Sequence, residues 1–182
     1  MDRTQLQAIQ APIKARLRDD AEAGRITLRA EESLDPEEIA CSVATGRALV
    51  EAGLHPATGG SGLEACSGDM LLQALVACAG VTVRAVATAL GITLRGGTVR
   101  AEGDLDFRGT LGVDKEAPVG FKTIRLAFDL DTDASVEDLK TLLKLTERYC
   151  VIYRTLTAPP PIAVSLDATI SEIEGETAHA SF

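Results

Sequence analysis

The run Met70-Leu-Leu-Gln-Ala-Leu-Val-Ala-Cys-Ala-Gly-Val-Thr-Val constrains this chain more than any other segment. It is apolar at nearly every position, and Ser67 or Asp69 is placed to cap a helix that continues to about Leu90. Gly91 stands where a helix closes in a left-handed residue. A helix without a polar face has to lie centrally, buried on most sides. The apolar run is too short for a membrane span, so it reads as a core helix around which the remaining elements must fold.

With 182 residues the chain fits one domain, or one domain with a terminal addition. It is long enough to bury a core without disulfide staples or a structural metal. Tryptophan is absent and aromatics make up 3%, so that core is aliphatic and rich in alanine. A stacking platform for single-stranded nucleic acid is therefore excluded, and a net charge of −9 argues against any nucleic-acid partner. The polar start Met1-Asp-Arg-Thr-Gln-Leu-Gln lacks the apolar stretch of a signal peptide. Four cysteines without a repeated short spacing suit reduced thiols in the cytoplasm better than a stapled secreted scaffold.

Along the chain, Leu6, Ile9, Ile13 and Leu17 mark an amphipathic helix from Thr4 to Ala23, which Pro12 should kink. Residues 1–24 thus form a helical extension. Ile26–Ala30 alternates as a strand. Ile39–Thr45 and Arg47–Ala52 form a β-prone pair around Gly46. His55-Pro-Ala-Thr-Gly-Gly-Ser-Gly is a loop. Beyond the long helix, Ile92–Phe107 is a strand broken at Gly96-Gly97, and Phe121–Leu130 is a clearer one with Ile124, Leu126 and Phe128 on one side. Ser135-Val-Glu-Asp matches a capping box and opens a helix with Val136, Leu139, Leu142, Leu143 and Leu145 as its apolar stripe. Val151–Leu156 adds a short helical turn, Ile162–Ile170 a last strand, and residues 173–182 a flexible tail. Strands, long helix, strands, helix, strand is an α+β order, with antiparallel sheets around two helices.

Several constellations carry no chemistry. Asp129-Leu-Asp-Thr-Asp opens like a calcium loop, but Ala134 and Lys140 stand where glycine and glutamate are needed. These acids read as the solvated entry to the Ser135 helix. Thr58-Gly-Gly-Ser-Gly lacks the lysine of a phosphate cradle. With only His55 and His179, neither a zinc site nor a Ser-His-Asp triad can be assembled, and no metal or cofactor is expected.

The thiols remain. Free cysteine is among the most buried residue types, so on cysteine chemistry alone inert core packing is the first reading of each. Cys41 lies in a strand. Cys66 precedes the long helix, whose dipole favours a thiolate, and is a rival for any reactive position. Cys78 lies mid-helix in apolar surroundings that alone make it inert, so reactivity requires a cation from elsewhere, Arg47 or Arg84. Cys150 follows the second amphipathic helix and precedes Val-Ile-Tyr-Arg, close to the start of a short helix.

Ser67-Gly-Asp-Met-Leu-Leu-Gln-Ala-Leu-Val-Ala-Cys, then Tyr149-Cys150, and more weakly Gly46-Arg47, resemble the OsmC/Ohr family of osmotically inducible and organic-hydroperoxide-resistance proteins. The likeness covers about Arg25–Ile170, giving an OsmC-like domain over residues 25–172. It implies an intertwined homodimer with two long helices buried between sheets. It also implies reduction of organic hydroperoxides by Cys78 as the attacking thiolate and Cys150 as its resolving partner, reopened by a dithiol reductant. Arg47 matches the arginine that stabilises the thiolate, and Asp69 the acid that orients it. Gly68-Asp69 stands where the family's helix often begins Pro-Glu, and Val151 where proline commonly follows the second cysteine. An apolar-ligand-binding dimer without catalysis is the alternative, and Cys66–Cys78 a third pairing.

Overall fold

The computed structural model describes residues 2–5, 8, 11, 32–34, 40–44, 49–112, 114–171 and 177–181. Residues 3–5, 8 and 11 are helical, and the start is capped at Asp2, not Thr4. The Gln5 N–H donates to Asp2 Oδ1 at 2.8 Å while the Asp2 N–H donates to Gln5 Oε1 at 2.9 Å. Pro12, the Ile26–Ala30 strand and the Gly46-Arg47 turn lie outside the described residues.

A first sheet has the order β1 (Glu32–Leu34), β2 (Ala40–Ala44), β3 (Leu49–Gly53), β4 (Ala65–Cys66). The expected β2–β3 pair is antiparallel, with Cys41 opposite Ala52. β4 runs parallel to β3, so the sheet is mixed where only antiparallel pairing was expected.

Helix α1 spans Ser67–Leu90. Its N-cap is Cys66, with extended backbone and no side-chain cap bond, and neither Ser67 nor Asp69 takes that place. Asp69 sits in the first turn, where its charge suits the helix dipole. The C-terminus closes as the sequence requires. Gly91 has φ 77°, its N–H donates to Thr88 O at 3.2 Å, and the Ile92 N–H donates to Ala87 O at 2.9 Å. That is the Schellman pair, which a residue with a Cβ would strain.

Leu75, Ala79, Val83, Val86 and Ala87 make one buried face along α1. The opposite side is open, with Val81 73% exposed. Burial on most faces is thus not met within a single chain. The helix is also longer than its apolar run and could cross a bilayer by length and composition. Here it packs against the segments Gly96–Asp104, Val136–Tyr149 and Val151–Thr157 instead.

Strands β5 (Gly96–Asp104) and β6 (Thr123–Asp131) form a hairpin from Gly96 opposite Asp131 to Asp104 opposite Thr123. The glycine pair begins β5 and does not interrupt it. Gly97 has φ 140°, and a Cβ there would lie 2.4 Å from Asp129 O. β6 alternates as predicted, with Ile124, Leu126, Phe128 and Leu130 turned inward. Acids on its outer side and just past its end meet arginines: Asp131 and Asp133 take Arg95 at 2.8 and 3.3 Å, and Asp129 takes Arg100 at 3.7 Å. The false calcium loop is therefore partly a set of exposed ion pairs, which solvent screens. Between the strands lies a short helix, α2 (Phe107–Thr110).

Helix α3 (Val136–Tyr149) starts at the predicted box, where Ser135 Oγ accepts from the Asp138 N–H at 3.1 Å. Its buried positions are Leu142 and Thr146, with Leu139 and Leu145 partly covered. Val136 and Leu143 are 68% and 45% exposed, so the stripe is narrower than expected. Leu142 packs with Val83, Val86 and Ala87 against Phe128 and Leu130, which ties α1, α3 and the hairpin into one core.

Cys150 ends α3 and caps α4 (Val151–Thr157). Its N–H donates to Thr146 O and its carbonyl accepts from Arg154, each at 2.9 Å. The last strand begins at Asp167, five residues later than predicted, as β7 (Asp167–Ser171). It pairs with β8 (Thr177–Ser181), which lies where a flexible tail was expected.

Candidate active site

Cys78 and Cys150, 72 positions apart in the chain, meet where the middle of α1 crosses the start of α4. Cys78 is half-buried and Cys150 is 1% exposed, both as free thiols. Three features of the local sequence produce this meeting. Ala79, fully buried beside Cys78, is small enough to let another element pack closely on α1. The Leu142 stripe fixes α3 along α1. The break at Cys150 then turns α4 so that its first amides face α1.

The two sulfurs are electrostatically unlike. Burial pushes the Cys78 thiol up, and this is the largest single influence on it. It is outweighed by donors acting together: the Ile152 N–H, the Cys150 thiol, the Val151 N–H and the Thr82 hydroxyl, so the net direction is down. The Thr82 hydroxyl also donates to the Cys78 carbonyl at 2.8 Å. Having one proton, it serves the oxygen or the sulfur at any moment. Cys150 goes the other way. Burial raises it most, the Tyr153 amide opposes, and the neighbouring Cys78 raises it further. Of the two thiols, Cys78 is therefore the readier to ionise and Cys150 the one that holds its proton more firmly.

Of the remaining site residues from the sequence, the described ones stand apart from this pair. Asp69 is exposed, nine residues and about 13 Å along the helix axis from Cys78. Arg84 donates its guanidinium to Leu94 O at 2.7 Å. Arg47 lies outside the described residues. Cys66 is separated from Cys78 by unbroken helix, about 18 Å along its axis, which excludes the Cys66–Cys78 pairing. His55 Nδ1 accepts from the Ala57 N–H at 3.0 Å, and its ring stacks on Phe107 at 5.0 Å. Among the described residues no cluster has the makings of a metal site.

What sequence reasoning missed is the source of the field on Cys78. The sequence pointed only to a cation, and among the described residues backbone and side-chain donors also lower the thiol. The start of a short helix after Cys150 was legible, but the amides it exposes serve the sulfur on the other helix. Val151 gains meaning here, because proline at that position has no N–H to give.

A cavity of about 480 Å³ adjoins the pair, between α3 and β6. Leu126, Phe128, Leu139 and Leu143 line its walls, and Cys150 and Tyr153 lie at its α4 end. Its size is that of a small-molecule pocket.

An α+β domain with two contacting thiols of opposite tendency defines a class, and comparison supplies the family. The sequence profile of the OsmC-like proteins matches residues 60–165. The fold is similar to an OsmC-like protein from Mycoplasma pneumoniae, with TM-score 0.60 and 17% identity over 74% of this chain and 89% of that one. It is similar to the organic hydroperoxide resistance protein OsmC of Legionella pneumophila, with TM-score 0.57 and 15% identity over 74% and 93%. An organic hydroperoxide resistance protein from Elizabethkingia anophelis gives TM-score 0.52 and 13% identity over 74% and 92%. No curated protein matches by sequence. The chain belongs to the OsmC-like family, and its fold is the OsmC-like α+β fold.

Proposed function

We propose that this protein is a cytoplasmic, homodimeric, thiol-dependent peroxidase that reduces organic hydroperoxides to alcohols. The observation that carries the reading is the contact between Cys78 and Cys150, with the thiolate favoured on Cys78. The names of two structural neighbours, organic hydroperoxide resistance proteins, support the substrate class.

In the proposed reaction the Cys78 thiolate attacks the distal peroxide oxygen. An S–O bond forms, the O–O bond breaks, and the alkoxide leaves with a proton as alcohol. Cys78 is now a sulfenic acid. The Cys150 sulfur displaces its hydroxyl as water and the two form a disulfide, which a dithiol reopens by exchange. In this scheme Arg47 adds a cation to the neutral donors around Cys78, and Asp69 orients it. The open face of α1, with Val81 at its centre, is the surface for a second copy.

Adding one equivalent of cumene hydroperoxide to the reduced protein tests this. The expected result is loss of two thiols per chain and a Cys78–Cys150 disulfide on peptide mapping. Thiols that survive would favour the second reading, a binding protein for an apolar ligand. The largely apolar cavity between α3 and β6 is the observation on its side.

A further inference from the structure

Cys150 presents 1% of its surface to water, yet it forms part of the wall of the 480 Å³ cavity. Cys78 does not line that cavity, although it is the more exposed of the two residues. Of the two residues, Cys150 therefore borders the cavity and Cys78 does not. Cys78 lies on α1 between exposed Ala77 and Val81, whereas Cys150 borders the space between α3 and β6.

We infer that the catalytic cycle uses two separate entrances, and that the dithiol reductant enters the α3–β6 cavity and attacks Cys150 Sγ, not Cys78 Sγ. This rests on the disulfide-forming reading above. One thiolate of the reductant forms a bond to Cys150 Sγ, the Cys150–Cys78 bond breaks, and Cys78 leaves as a thiolate. The second thiolate of the reductant then attacks the reductant's own sulfur. This releases Cys150, which takes up a proton, and the reductant departs as a cyclic disulfide. Two electrons pass from the dithiol to the protein.

The electrostatics agree with this geometry. In exchange the sulfur whose thiolate is better stabilised is the better leaving group, and the Val151 and Ile152 N–H groups that favour a Cys78 thiolate do not depend on the Cys150 proton. An attack on Cys78 would have to expel the sulfur that holds its proton more firmly.

The test starts from protein whose disulfide has been made with diamide, so it does not depend on reaction with peroxide. Benzyl mercaptan is added briefly, the exchange is quenched with acid, and the mixed disulfide is located by peptide mapping. Benzyl mercaptan on Cys150 is the expected result. Its presence on Cys78, or equal division between the two, overturns the inference while leaving the peroxidase reading intact. Failure of diamide to join the two cysteines overturns both. In a second arm, Leu143→Trp, at a position 45% exposed on the cavity wall, is expected to slow reduction of the disulfide by dithiothreitol by about tenfold or more. An unchanged rate would show that the cavity is not the entrance.

Discussion

Cys78→Ser is expected to reduce cumene hydroperoxide consumption to the uncatalysed rate, and Cys150→Ser to allow a single turnover and then stop. The contrast follows from the two roles. Serine in place of Cys78 is a neutral hydroxyl, and the donors around it cannot ionise it near neutral pH. The soft anion that attacks the peroxide oxygen is gone. Serine in place of Cys150 leaves Cys78 able to react once. The sulfenic acid then has no partner sulfur, persists, and can be captured by dimedone. Peroxide loss is followed spectrophotometrically, and the trapped adduct by mass spectrometry. Sustained consumption by Cys78→Ser would exclude this nucleophile. Full turnover by Cys150→Ser would show that another group resolves the intermediate.

The largest effect on stability is expected at Leu142. It is 1% exposed and joins α3 to Val83, Val86 and Ala87 of α1. Truncation to alanine removes buried methyl groups and leaves a cavity, at a cost of about 2–5 kcal/mol. That is a large part of the roughly 5–15 kcal/mol that holds a domain of this size together. Leu143→Ala, one position along and 45% exposed, should stay within about 1 kcal/mol. Urea midpoints of the two variants check the difference, and equal losses would contradict the packing described for α3. Loss at Leu142 should also loosen the Cys78–Cys150 contact, because α3 carries Cys150 at its end.

The elements legible in the sequence are those fixed by local chemistry. The Ser135 box, the Gly91 closure, the alternation of β6 and the β2–β3 pair each depend on contacts within a few residues or on one turn. Less legible were features that depend on distant parts of the chain. The parallel β3–β4 pair joins segments separated by an eleven-residue loop, and β8 owes its form to β7, not to its own pattern. The exposed side of α1 shows another limit: an all-apolar sequence says that a helix will be covered, not that its own chain does all the covering. At the site, the two cysteines were identifiable from their contexts. The donors lowering Cys78 were not, since Val151 and Ile152 act through backbone N–H groups that side-chain identity does not reveal. The departure from proline at Val151 was visible, but its consequence required knowing which sulfur α4 faces.

The central claim is that the N–H groups at the start of α4 and the Cys150 thiol hold Cys78 as the more acidic of a contacting pair. Differential alkylation of the reduced protein with iodoacetamide across pH, read cysteine by cysteine, tests it most directly, with Val151→Pro as the companion variant. Proline suits the first position of a helix, so the substitution removes one N–H and keeps α4. The account predicts that Cys78 reaches half-maximal reactivity below the ordinary thiol value of 9.0 and Cys150 above it. It also predicts that Val151→Pro moves the Cys78 midpoint upward. Cys150 reacting at the lower pH, or a Cys78 midpoint at or above 9.0 in the native sequence, would contradict it.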